Sequence, residues 1–189
     1  MPEEKVWDSF FDQSSILTKL QLTSECKDVV EFGCGYGTFT IPAASIISGR
    51  VFAIDIEQEM IYATRETASK SKLTNIKCIL RDFVKDGTGL PENSVDYAMV
   101  FNILHYEQPV KLLDEAFRVL RNDGIVGIIH WNYDPETPRG PDMKIRPKPE
   151  QCRQWAEEAG FKMIGDGIID LPPYHYGMAL RKHDIQSIR

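Results

Sequence analysis

Long apolar runs are what this sequence most conspicuously lacks. No stretch approaches the roughly 18–20 uninterrupted apolar residues that a membrane span requires, so none is expected. Cysteine is scarce and scattered. Cys26, Cys34, Cys78 and Cys152 form no C-x-x-C pair and have no histidines nearby, which argues against a metal site or a disulfide framework. Positive charge is also in deficit, with 22 Lys and Arg against 28 Asp and Glu and a net charge of −6. Such a chain has no bulk attraction for nucleic acid or anionic membranes, which leaves only a local basic patch open. The start MPEEKVWDSF is acidic and polar, unlike a secretory leader. Free thiols without a leader make a cytoplasmic location the expectation. Repeats and low-complexity segments are missing too. With 189 residues, 42% hydrophobic and 26% charged, the composition suits one ordinary domain, 1–189, with a core of its own.

What is present centres on Asp28–Thr40, DVVEFGCGYGTFT. Val29, Val30 and Phe32 read as a short buried strand that breaks at Gly33-Cys34-Gly35-Tyr36-Gly37 and resumes as a helix from Thr38. A strand turning through glycines into a helix start is a recurring nucleotide-binding geometry. Glycine serves there because a side chain would block positive φ or a close backbone approach to a ligand. The spacing G-x-G-x-G, two residues after the acid Glu31, is neither the dinucleotide G-x-G-x-x-G nor a phosphate loop ending in GK[ST].

Along the chain, Glu3–Leu22 reads as a lead-in helix with Val6, Phe10, Ile16, Leu17 and Leu20 as its apolar positions. Its aromatics Trp7, Phe10 and Phe11 either pack on the sheet edge or form a lid, so 1–27 is a possible lid segment. Helices are expected at Phe39–Ile47, Glu57–Lys72, Lys111–Leu120 and Glu150–Ala159. Strands are expected at Arg50–Ile56, Asn75–Leu80, Tyr97–Phe101, Ile125–Trp131, Phe161–Ile164 and Tyr174–Arg181. Arg121–Gly124 reads as a turn, with Gly124 as its helix-stopping residue, and Lys182–Arg189 as a frayed tail. Strands alternating with helices predict an α/β fold with a parallel sheet between helical layers. The segment 132–149 carries five prolines, Pro135, Pro138, Pro141, Pro147 and Pro149, and reads as a long irregular loop on the substrate side.

Four features in register resemble the class I S-adenosylmethionine-dependent methyltransferases. They are the E-x-G-x-G-x-G turn, Asp55 ending the second strand, Asp82 after the third, and the run LPENSVDYAMV leading into the fourth. The helix–turn–strand EAFRVLRNDGIVGII is similar to that family's as well. The resemblance covers Asp28–Trp131 well and the last strands loosely. It implies a Rossmann-like three-layer α/β/α sandwich with a seven-stranded, mostly parallel sheet, the last strand antiparallel beside the fifth. It also implies S-adenosylmethionine as cofactor and S-adenosylhomocysteine as product. Gly33, Gly35 and Gly37, with Phe32 and Cys34 in the same turn, would pass under the methionine portion. Glu31 would orient its ammonium, Asp55 would hold the ribose, Asp82 would meet the adenine edge, and Phe83 or Ile56 would pack on the adenine ring face. Asn102 would lie beside the sulfonium.

The residues leave several alternatives open. Asp55 either holds a ribose or caps the next helix, and Asp82 is either an adenine contact or an ordinary turn residue. Cys34 reads as a small structural residue rather than a nucleophile. His105 and His130, near the ends of their strands, are the candidate acid–base residues, with Tyr106 a weaker one. Late His175 and His183 carry no supporting motif. Trp131 and Tyr133 could wall a flat substrate, while Arg139, Lys144 and Arg146 either clamp an anionic acceptor or are solvated. No acceptor is named, and a small molecule is the default. A non-catalytic cofactor-binding module is the alternative, with an NAD-linked oxidoreductase behind it.

Overall fold

In the computed structural model, residues 4–165 and 167–183 are described. The sheet runs β3-β2-β1-β4-β5-β8-β6, with β7 also pairing to β8. Its strands are β1 (Val29–Phe32), β2 (Val51–Asp55), β3 (Ile76–Leu80), β4 (Val95–Phe101), β5 (Leu120–Trp131), β6 (Phe161–Met163), β7 (Ile169–Leu171) and β8 (His175–Lys182). β3, β2, β1, β4 and β5 are parallel, and β8 lies antiparallel against β5. The reversal from β1 outward on both sides places the chain switch between β1 and β4, where open α/β sheets bind ligands beyond the strands' carboxyl ends.

Alternation along the strands divides the core in two. Val30, Phe32, Ala98, Val100 and Ile128 face one side, where α6 (Pro109–Val119) and α7 (Pro149–Glu158) cover them with Leu112, Leu113, Ala116 and Ala156. Val29, Tyr97, Met99 and Ile129 face the other, covered by α2 (Gln13–Lys19) and α3 (Thr40–Ile46). The helix α4 (Gln58–Lys70) extends that second layer, with Ile61 packed near Ala53. The three layers expected from the sequence are present.

Four expectations need correction. The sheet has eight strands, because β7 pairs with β8 through Ile169↔Gly177 to Leu171↔His175 beyond the stretch taken by β6. The lead-in helix is two, α1 (Glu4–Asp8) and α2, since the Asp12 side chain accepts from the Ser15 N–H and starts a new helix. Residue 3 lies outside the described residues. The helix α6 stops at Val119, but Leu120 already pairs with Val95 across a bulge. The positive φ in that bulge falls on Asp123 (+62°), not Gly124. Lys182 belongs to β8, with its ammonium donating to Leu120 O, and the rest of the expected tail from 184 lies outside the described residues.

Candidate functional site

At the end of β1 the N–H groups of Gly33 and Cys34 both donate to Ile54 O at 2.9 Å, so the turn is pinned to the neighbouring strand. Gly33 (φ +77°) and Gly37 (φ +86°) take left-handed conformations that disfavour a side chain. A Cβ at Gly37 would also come within 3.2 Å of Thr64. Between them, Gly35 N–H donates to Asp55 Oδ2 at 2.9 Å and Thr64 Oγ1 donates to Gly35 O at 2.8 Å. Asp55 Oδ1 accepts from Glu57 N–H at 3.0 Å. This carboxylate thus ties the turn to the end of β2, yet each oxygen keeps a second lone pair for a ligand. It does not cap α4, whose N-cap is Glu57 without a side-chain bond.

Glu31 lies beneath the turn, 3% exposed, and accepts from the Thr40 hydroxyl at the start of α3. Burial raises its pKa to about 8, with the Thr40 bond opposing and the charge of Asp55 adding. Asn102, just past β4, sits at φ +57° with its N–H donating to Ile129 O at 2.7 Å. Among the described residues, both ends of its buried side-chain amide lack a partner. A left-handed, unsatisfied asparagine carries strain and desolvation cost that a bound ligand relieves. Glu31 and Asn102 line a cavity of about 30 Å³ together with Gly33, Cys34, Gly35 and, from α1, Trp7. Thr38 Oγ1 donates to Asp8 Oδ1 at 2.6 Å and fastens α1 over the turn.

Beside this cavity, Ile56 is 58% exposed and Leu80 48% exposed at adjoining strand ends, an apolar shelf open to a flat ring. Phe83 is half-buried, its ring edge-on to Phe32 at 5.6 Å. Phe32 itself is fully buried in the core, so its side chain supports Phe83 and offers no ligand surface. Asp82 caps the short helix α5 (Phe83–Asp86) by accepting from Lys85 N–H at 3.0 Å. Cys34 is buried beside Glu31, and burial pushes its thiol far above the ordinary range, which removes it as a nucleophile.

On the acceptor side, His105 Nδ1 lies 3.4 Å from Nε2 of the fully buried His130. Burial lowers both pKa values, that of His130 to about 3, with His105 adding to the effect. Among the described residues, Nδ1 of His130 has no hydrogen-bond partner. Trp131 is buried among Phe10 (5.5 Å), Trp7 (6.2 Å) and His175 (4.3 Å), as a wall of the aromatic cover. Tyr106 and Tyr133 are exposed, and Lys148 stands over the Tyr133 ring. Arg139 is exposed.

Arg146 has a different role from the expected clamp. It is 7% exposed, and its guanidinium donates to the carbonyls of Asn132, Asp134, Arg139 and Pro141 and to Thr137 Oγ1. A fork of donors turned onto the loop's own backbone holds segment 132–149 in shape and leaves little for a substrate. Sequence reasoning missed Thr40 and Thr64, offered Trp7 only as a sheet-edge or lid aromatic, and set His175 aside for want of a motif. Their partners are tens of residues away along the chain. Only Thr40, nine residues after Glu31 at the same helix start, offered a local signal.

Residues 29–124, just over half the chain, match the family described as a methyltransferase domain. The chain belongs to that family. It is 30% identical over 146 residues to an uncharacterised 37.1 kDa transposon protein of Streptomyces fradiae, covering 76% of this chain and 39% of that one. It spans about two fifths of the length of the first curated relatives it matches. In fold it is similar to a SAM-dependent methyltransferase of Aquifex aeolicus, with TM-score 0.82, 23% identity and coverage of 95% and 94%. It is also similar to the [4+2]-cyclase SpnF, with TM-score 0.77, 15% identity and coverage of 95% and 82%. Among the described residues no helix is long and apolar enough to cross a membrane, and no cluster is suited to a metal ion.

Proposed function

We propose that this chain is an S-adenosylmethionine-dependent methyltransferase acting on a small-molecule acceptor. The observation that carries the reading is one ring of groups around one turn: Glu31, Asp55 and the unsatisfied Asn102 about the glycines, with the Ile56 shelf alongside. These groups fit the cofactor. The glycine backbone and Glu31 would take its amino-acid end, Asp55 its ribose hydroxyls, and Ile56, Asp82 and Phe83 its adenine. When bound, S-adenosylmethionine supplies a methyl group on a sulfonium that departs as a neutral thioether. The chain's own part is then to align the acceptor, exclude water and take up a proton where the acceptor carries one.

His105 is suited to the last task. Kept neutral by burial, it would take the acceptor's proton at Nε2 while Nδ1–H is shared with His130 Nε2. Tyr106, next to it in the chain, and the exposed Tyr133 and Arg139 would border the acceptor, with 132–149 as an already shaped wall and Trp131 behind it. The acidic net charge favours a small acceptor over nucleic acid, and the free thiols suit a cytoplasmic setting within a single domain.

The second reading is a non-catalytic module that binds the cofactor without methyl transfer, since one fold can serve several functions. Calorimetric titration with S-adenosylhomocysteine, with NAD⁺ in parallel, tests the cofactor class. Micromolar binding of the first alone is the expected result, and no binding of it would remove the proposal. Turnover of radiolabelled S-adenosylmethionine with candidate acceptors then separates an enzyme from a binding module.

A further inference from the structure

Glu31 is a buried carboxyl without a counter-charge. Its partner is the neutral Thr40 hydroxyl, and among the described residues no lysine, arginine or histidine nitrogen lies within 4.0 Å of it. The titratable groups that face it are Asp55 from β2, Cys34 from the turn and Cys78 from β3. None of them can be a cation. Trp7 from α1 and Thr40 from α3 are neutral. The carboxyl nevertheless borders the small cavity at the glycine turn. An ionised carboxylate left there would be desolvated on every side, and a proton is the cheapest available neutraliser.

We propose that Glu31 holds a proton while the site is empty and gives it up when a cationic amino group enters the cavity, so that ligand binding releases about one proton per molecule bound. This rests on the reading above, in which the cofactor's amino-acid end occupies the glycine turn. The exchange balances: the O–H proton of Glu31 leaves to solvent buffer, and the incoming ammonium replaces it as the counter-charge. No bond in the ligand changes. The pKa near 8 given to Glu31 by burial places the protonated form at about nine tenths of the population at pH 7. Affinity for an ammonium ligand therefore rises about ninefold from pH 6 to pH 7. A neutral nucleoside has no ammonium to replace the proton, so it should bind without proton release and with an affinity level between pH 6 and pH 7.

The test is calorimetric titration with S-adenosylhomocysteine at pH 7.0 in two buffers of different ionisation enthalpy, phosphate and Tris, repeated at pH 6.0 in buffers suited to that pH. The expected result is release of about one proton at pH 7.0 and an affinity about ninefold weaker at pH 6.0. In Glu31→Gln the release should vanish and the affinity become level between the two pH values. A binding enthalpy independent of buffer in the wild type, or undiminished release in Glu31→Gln, would overturn the exchange while leaving the cofactor reading intact. Failure of S-adenosylhomocysteine to bind at all would overturn both. Should Glu31→Gln not fold, Thr40→Val removes the hydroxyl that favours the ionised form. It should carry the steep part of the pH dependence above pH 8, and an unmoved profile would count against the proposal.

Discussion

Asp55 shows how much one side chain does in this site. It holds the Gly35 and Glu57 N–H groups and is 7% exposed at the end of β2. Replacing it with alanine should weaken S-adenosylhomocysteine binding by about 2 kcal/mol, the worth of charge-assisted hydrogen bonds to a ribose. Unchanged affinity in a folded Asp55→Ala protein would remove the ribose role. His105→Gln should leave that affinity alone and slow transfer to a hydroxyl acceptor by roughly 10²–10⁴-fold, the usual contribution of a general base. An equal loss of S-adenosylhomocysteine binding would mean that the imidazole shapes the cofactor site instead. The acids at strand ends were legible because β2 and β3 can be recognised locally and their last residues fall where ligands bind. Thr64 and His175 were not legible. Each matters only through a neighbour brought in by folding, Gly35 for one and Trp131 with Phe11 for the other.

At the scale of elements, the long proline-rich segment is the feature whose reading changed most. Its prolines exclude regular structure, as composition implies, but order comes from one buried arginine whose donors reach five residues of the loop. Charge in the sequence does not say whether a guanidinium faces outward or inward, so Arg146 read like its exposed neighbour Arg139. Arg146→Ala should cost about 2–3 kcal/mol, since several loop carbonyls lose their donor together. It should also open the segment to limited proteolysis. Lysine should not rescue it, because a single ammonium cannot span the carbonyls that a planar fork reaches. A loop still protease-resistant in both variants would show that packing alone shapes it. Elsewhere, six of the seven expected strands matched to within about two residues, because short β-branched and aromatic runs bounded by turn residues are a local pattern. The missed elements were a three-residue strand and a helix break set by a single capping aspartate, both below the length at which periodicity is informative.

For the whole molecule, three buried titratable groups pull stability in opposite directions with pH. His130 and His175 are fully buried and neutral, each with a pKa lowered to about 3, chiefly by burial. Below an unfolded pKa near 6.5 the unfolded chain binds protons that these two refuse, so their contribution is present above pH 6.5 and is lost as pH falls toward 3. Glu31 runs the other way. Its folded pKa is raised to about 8 by burial, so its contribution is present below about pH 4.5 and is lost as pH rises from there to 8. Between pH 4.5 and 6.5 the two histidines outweigh the one acid, and above 6.5 the acid acts alone. Stability of the ligand-free protein should therefore peak near pH 6.5, falling by about 1–1.5 kcal/mol at pH 5 and about 1 kcal/mol at pH 8. Urea unfolding across that range measures the curve. His175→Phe keeps an aromatic ring between Phe11 and Trp131 and removes one refused proton, so the acid-side decline should largely disappear. Glu31→Gln should remove the alkaline decline and steepen the acid one, because the opposing contribution of the carboxyl between pH 4.5 and 6.5 goes with it. If either variant flattened the opposite limb, the groups controlling each limb would have been assigned the wrong way round. The same linkage ties folding to ligand: saturating S-adenosylhomocysteine should stabilise the protein more at pH 8 than at pH 6, because at the higher pH the proton it must displace is already half gone.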